Sequence, residues 1–349
     1  MTHTYYNKIL FLPDAGPKNP FQHQMIAFLR QHGLKVSVGP KNKLFSIYKG
    51  VHLSQPELVY FDWIHSFILG KSLIASLIKS LVFVTEIIYV TQIRKIPIIH
   101  TAHNLENHAK RKLWFERIIY GFFLNRCHKI RVYSEAVKKN LVEKFRLNSN
   151  SVHIIQDIPY HHYYPNHTTR KESRIPFAIP ADAVLFLFFG RIQPYKGLEN
   201  LIHSFLQIAA SNNYLIIAGE AIDEKYLLEL RKLTQFHTRI TWHHGFIDMN
   251  DVQYFFHAAD AIVLPFTKSD HSGTVDLALS FAKAVITLKT EAIQKLLAHQ
   301  EFLLFGTPHE LLSCLTKATK IDLGDVGKQN FKIANETNYA DLLTLFQKE

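Results

Sequence analysis

The stretch VLFLFFGRIQPYKGLENLIHSF, residues 184–205, passes from six consecutive apolar residues through a short turn carrying an arginine and a lysine into a segment with helical apolar spacing. An unbroken apolar run of that length fits a strand buried on both faces, as in a parallel sheet covered by helices. Gly190 permits a sharp turn at the strand end, and the helix after Gly197 offers unpaired backbone N–H groups beside Arg191 and Lys196. Strand, cationic loop and helix N-terminus together make a clamp for a diphosphate.

The same alternation extends in both directions. Strand-like runs fall at 9–12, 36–38, 58–61, 96–100, 130–133 and 152–155, and again at 184–189, 214–218, 240–243, 261–265, 284–288 and 302–304, with helical patterns between them. This is the pattern of parallel βαβ units, so the expected class is α/β with two doubly wound domains. Residues 157–182, rich in Pro, His, Tyr and basic side chains and without a regular period, read as the connection. The expected domains are 1–165 and 166–330, followed by a helical pattern within 331–349.

Bulk properties set limits on function. A chain of 349 residues exceeds what one hydrophobic core usually serves, and 47% hydrophobic with 20% charged residues is a globular balance. Cys127 and Cys314 stand far apart with no C-x-x-C, which argues against a disulfide framework or a zinc site and fits a reducing compartment. The first residues show no signal-peptide pattern, so a cytoplasmic location is expected. Residues 67–93 form the most apolar stretch, but Lys71, Lys79 and Glu86 interrupt it, and it reads as a helix rather than a span. The net charge of +11 attracts nucleic acid, anionic lipid or phosphorylated substrates without choosing among them. No G-x-G-x-x-G occurs, and Gly70-Lys71-Ser72 lacks the Walker glycine, where His65 stands.

Ligands of open parallel sheets bind beyond the carboxyl ends of the strands, so the residues after each run carry the chemistry. Leu264-Pro265-Phe266 leads to Ser272-Gly273-Thr274 at the start of a helical pattern over 275–283, where hydroxyls and free N–H groups suit a phosphate. In the first half, the loop at 14–20 contains Gly16, Asp62 and Trp63 follow the third run, and His103, Asn104 and Glu106 follow the fourth. An imidazole near neutrality can move a proton, Glu106 is a second candidate base, and Asp62, Trp63 and Asn104 offer hydroxyl and stacking contacts to an acceptor. The adjacent pairs His161-His162 and His243-His244 diverge on an extended chain, and with no Asp-x-Asp present no metal is expected. Residues 108–126 are dense in basic and aromatic side chains, suited to an anionic membrane surface.

The segments F-G-R-I-Q-P-Y-K-G (189–197), L-I-I-A-G-E (215–220), H-H-G-F-I (243–247) and L-P-F-x6-S-G-x4-A-L (264–279) resemble, in order and spacing, the donor domain of GT-B glycosyltransferases close to family 4 and group 1. The resemblance implies two Rossmann-like domains facing a central cleft, an acceptor-binding first domain and a C-terminal helix that crosses back to it. It implies a nucleotide-sugar donor, GDP- or UDP-linked, and a glycan or lipid-linked acceptor in surface polysaccharide synthesis at the inner face of the cell membrane. Arg191 and Lys196 would neutralise the diphosphate, Ser272, Gly273 and Thr274 would hold the distal phosphate, and Gly16, Glu220, Phe246 and Ile247 would line the donor. His103 and Asn104 fall in a segment resembling the family's T-x-H-N. Many members carry two glutamates in the helix region after the L-P-F segment, at positions that are Ser269 and Leu277 here; Asp270 and Asp276 are the nearest carboxylates. Two other functions fit parts of the sequence: an inactive or regulatory sugar-nucleotide-binding protein, and a basic nucleic-acid-binding protein, for which no recognised module is present.

Overall fold

The computed structural model describes residues 4–41, 44–103, 114–208, 212–267, 272–337 and 339–348. They form two compact units, one made of Met1–Ile158 with Asn338–Glu349 and the other of Pro159–Thr337.

The first unit holds six parallel strands, β1 Lys8–Leu12, β2 Lys35–Val38, β3 Leu58–Phe61, β4 Ile98–Thr101, β5 Lys129–Val132 and β6 Val152–Ile154, in the order β2-β1-β3-β4-β5-β6. The second holds β7 Val184–Phe189, β8 Asn213–Gly219, β9 Ile240–His244, β10 Ala261–Leu264, β11 Ala284–Leu288 and β12 Leu304–Phe305, in the order β12-β11-β10-β7-β8-β9, again parallel. The unbroken apolar runs are explained by burial on both faces. In β1, Leu10 and Leu12 enter one core cluster while Ile9 and Phe11 enter another; in β7, Phe186 and Phe188 pack on one side and Leu185 and Leu187 on the other.

Three details depart from the sequence expectation. The division between units falls at Ile158/Pro159, earlier than residue 165, because Asp157 is tied into the first unit by the buried Arg131 guanidinium at 2.5 Å, which also donates to the Ile155 and Gln156 carbonyls. The supposedly irregular connection contains a helix, Arg170–Arg174, closed by a Thr169/Glu172 capping box and held by the 2.6 Å Arg174–Asp260 ion pair. It is too short to show a period. The C-terminal pattern is not one helix: Leu323–Glu336 stays in the second unit, and Ala340–Thr344 packs in the first.

That returning segment is part of the first unit's core. Leu342, Leu345 and Phe346 are buried beside Phe11 and Tyr60, Gln347 bridges Tyr5, and Lys129 Nζ donates to the Thr344 carbonyl at 3.1 Å. Phe346→Ala is expected to destabilise this unit by about 3–5 kcal/mol through loss of burial and the cavity left behind. A lowered urea midpoint, followed with a probe in the first unit, checks it.

Candidate active site

In the second unit the strand order reverses between β7 and β10, the place where loops leaving neighbouring strands part and open a crevice for ligand. The β7 loop closes in a turn, Pro194–Lys196, ended by Gly197 at φ 69°. A Cβ at Gly197 would lie 2.0 Å from the Pro265 carbonyl oxygen, so only glycine lets this loop rest on the end of β10. The Thr267 N–H and hydroxyl both donate to the Tyr195 carbonyl, at 3.2 and 3.1 Å.

This approach sets Lys196 Nζ 4.0 Å from the centre of the Phe266 ring and 5.1 Å from that of Tyr195. Among the described residues it has no hydrogen bond or ion pair. Burial, with the Arg191 charge nearby, pushes its pKa down to about 8. A cation desolvated beside a second cation, with aromatic rings and no carboxylate against it among the described residues, has the chemistry to receive an anion. Arg191 itself is exposed at the mouth of the loop.

From β10 the chain reaches Ser272, N-cap of the Gly273–Ser280 helix, whose side chain makes no capping bond. Thr274 Oγ1 lies 3.8 Å from where a Cβ on Gly190 would stand, so this helix start abuts the β7 turn. Asp276 occupies the helix's first turn. Leu277, where the resemblance places a glutamate, is buried in the core, while Ser269 and Asp270 lie outside the described residues. The remaining strand ends are tied to the same edge: Ile192 N–H donates to the Glu220 carbonyl at 2.9 Å and Gly245 N–H to the Gly219 carbonyl at 3.0 Å. The Glu220 side chain and Phe246 are exposed there, and Ile247 packs onto the core beneath.

In the first unit the order reverses between β1 and β3. Gly16, at φ 78°, donates its N–H to Asp14 Oδ1 at 2.8 Å in a loop braced by Gln22, which bonds the Pro13 carbonyl and the Ala15 N–H. Beyond β3 and β4 stand Asp62, Trp63 and His103. His103 Nε2 lies 3.3 Å from Asp62 Oδ1 and Nδ1 lies 3.2 Å from the Tyr133 hydroxyl, with Trp63 stacked on the imidazole at 4.9 Å and Phe21 edge-on at 5.0 Å.

Two sequence expectations change here. Asp62 is buried and engaged by His103, so its carboxylate orients the imidazole instead of reaching an acceptor hydroxyl; that burial raises its pKa. His103 has both ring nitrogens occupied, and proton transfer through Nδ1 requires the Tyr133 hydroxyl to give way. Trp63 spends one ring face on His103. Asn104 and Glu106 lie outside the described residues. Tyr133, Phe21, Tyr195 and Phe266 were not singled out as site residues by sequence, although Tyr133 ends a strand run and Phe266 sits in L-P-F.

Two six-stranded parallel sheets with helices between their strands are the architecture of the GT-B fold. Residues 169–318 match the family described as glycosyl transferases group 1, and residues 60–157 match Glycosyltransferase Family 4. Each unit thus carries a glycosyltransferase family match, group 1 in the second and family 4 in the first, on a fold shared with GT-B glycosyltransferases. No curated protein matches it by sequence. HepE of Anabaena, solved with UDP and glucose, shares the fold at TM-score 0.75 and 16% identity, covering 97% of this chain and 98% of that one. Sucrose-phosphate synthase of Thermosynechococcus elongatus does so at TM-score 0.70 and 16% identity, covering 97% and 96%. WaaG, a glycosyltransferase involved in lipopolysaccharide biosynthesis, does so at TM-score 0.67 and 13% identity, covering 97% and 99%.

Were the Lys196 ammonium to receive the diphosphate of a donor, its lowered pKa would make that binding pH-dependent. The ammonium is present below pH 8 and lost above it, so nucleoside diphosphate affinity should weaken as pH rises through about 8, by up to about tenfold per pH unit. Lys196→Arg should flatten that dependence, because guanidinium stays charged. Calorimetric titration from pH 7 to 9.5 checks both.

Proposed function

We propose that the chain transfers a hexose or related sugar from a nucleotide diphosphate sugar to a glycan or lipid-linked acceptor in surface polysaccharide synthesis, with UDP preferred to GDP as the leaving group. The observation that carries this is the buried Lys196 ammonium, set among aromatic rings beside Arg191 at the β7/β10 reversal. The HepE structure with UDP and glucose supports the base, and the involvement of WaaG in lipopolysaccharide synthesis supports the acceptor class.

As the bond at the anomeric carbon breaks, negative charge builds on the departing diphosphate. Arg191, Lys196 and the N–H groups at the start of the Gly273–Ser280 helix stabilise that charge more than the bound ground state, which is what lowers the barrier. These cations do the work that a divalent ion does elsewhere, so transfer proceeds without a metal. His103, oriented by Asp62, stands on the acceptor side together with Trp63. The enzyme works on the cytoplasmic face of the membrane as a peripheral protein, its positive charge serving lipid and phosphorylated substrate, not nucleic acid.

A thermal-shift panel of nucleoside diphosphates tests the donor: UDP should raise the melting temperature above the effect of GDP or ADP. No shift with any of them removes the donor site. With a UDP-sugar and a membrane extract as acceptor, Lys196→Ala should lower turnover by about a hundredfold or more, and EDTA should leave wild-type turnover unchanged.

A further inference from the structure

The Leu73–Ile88 helix of the first unit is inside out for a helix on a water-facing surface. Its buried face carries Ser76 and Ser80 along with Phe83, Glu86 and Ile87, the serine hydroxyls bonding to the Ser72 and Ile68 carbonyls at 2.8 and 3.3 Å. Its outer face carries Ile74, Leu77, Ile78 and Leu81, spaced i, i+3, i+4 and i+7, with relative exposures of 70%, 46%, 50% and 67%. Among the described residues, Leu73–Ile93 is one helix long and apolar enough to cross a membrane by length and composition, yet its inner side belongs to the core cluster that includes β3 and β4 residues. That packing rules out a span and leaves the apolar stripe to lie flat on something.

The neighbouring helix, Trp114–Leu124, packs against it and adds exposed apolar residues of its own: Trp114 and Ile118, one turn apart, are 78% and 63% exposed. Charge identifies the occupant. Of the carboxylates on these two helices, Glu86 is buried and accepts from Tyr48 N–H at 2.7 Å, and Glu116 is paired with His65 at 2.9 Å. The cations on these two helices and at their head are Lys71, Lys79, which donates to the Ser66 and Leu69 carbonyls, and Arg117; His65–Ile68 and Tyr89–Ile93 contain no carboxylate, and the Glu135–Phe145 helix, which meets Trp114–Leu124 through Phe145, sets Lys138, Lys139 and Lys144 against Glu135 and Glu143. An apolar stripe on two helices whose own described carboxylates are buried or paired, with an excess of cations around it, matches an anionic bilayer, where the side chains enter the acyl boundary and the cations meet headgroups.

We propose that Ile74, Leu77, Ile78, Leu81, Trp114 and Ile118 form the membrane-docking face of this protein, lying in the plane of an anionic lipid surface. This deepens the proposed lipid-linked acceptor and rests on that reading for its biological purpose, but its physical basis is separate from the donor site.

The test is flotation of the full chain with vesicles of phosphatidylcholine alone or with 30% phosphatidylglycerol, alongside the UDP thermal shift. Wild-type protein should float with the anionic vesicles, less so at high salt. The I74Q/L81Q variant changes two exposed side chains and should retain the wild-type melting temperature and UDP shift while losing about tenfold or more in vesicle partition. Lys71→Ala with Arg117→Ala should reduce binding to anionic vesicles and leave the weaker binding to neutral ones unchanged. Equal flotation of I74Q/L81Q and wild type overturns the proposal. So does a wild-type dimer in solution that ignores vesicles and becomes monomeric in I74Q/L81Q, which would assign the face to a second copy. Failure of the UDP shift with vesicle binding intact would overturn the donor reading alone.

Discussion

Gly197 lies so close to β10 that a Cβ there would meet the Pro265 carbonyl oxygen at 2.0 Å. The second unit's site follows from that contact. Because the backbone of the β7 loop rests on the end of β10, Lys196 is carried over the Phe266 ring and Tyr195 is pinned by Thr267, and the loop is shielded from water on one side. A second glycine repeats the device, since a Cβ on Gly219 would meet the Gly190 carbonyl oxygen at 1.8 Å. Three strand ends are thereby drawn together by the absence of side chains, and the cations they carry are held by backbone geometry.

Such an arrangement is costly in the empty protein. Desolvating an ammonium next to a guanidinium is unfavourable, and the lowered Lys196 pKa measures it. The ring faces of Phe266 and Tyr195 offset part of the cost, and an anion bound there would offset more. A carboxylate at the same place would have made a more stable loop and a worse receptor. The first unit shows a different economy: Arg131, more deeply buried than Lys196, has its charge paired with Asp157 and donates to the Ile155 and Gln156 carbonyls.

Much of this was legible in the sequence because a parallel strand buried on both faces writes itself as a continuous apolar run. All twelve runs are strands, with ends displaced by a residue or two, the last starting at Leu304 because residues 298–303 close a helical turn first. The β7 loop was legible as a candidate because Arg191 and Lys196 stand directly after such a run, where open parallel sheets take their ligands. The acceptor-side cluster was less so. That Asp62 points inward to His103, and that Tyr133 fills the other ring nitrogen, depends on β3, β4 and β5 lying side by side, with contacts between residues 41 and 30 positions apart that no local pattern records. The apolar face of Leu73–Ile88 shows a related failure: composition announced a hydrophobic helix, but which side would be covered was decided by two serines turning inward.

The return of residues 338–349 to the first unit makes the two units unequal during synthesis. Pro159–Thr337 is one uninterrupted stretch, so everything its core needs has emerged once Thr337 has left the ribosome. The first unit has β1 to β6 available long before, yet Leu342, Leu345 and Phe346 fill part of its core and Gln347 pairs with Tyr5. Domains generally consolidate as their chain becomes available. The half that is translated first is therefore the half whose core residues emerge last, after the whole of the second unit has been made.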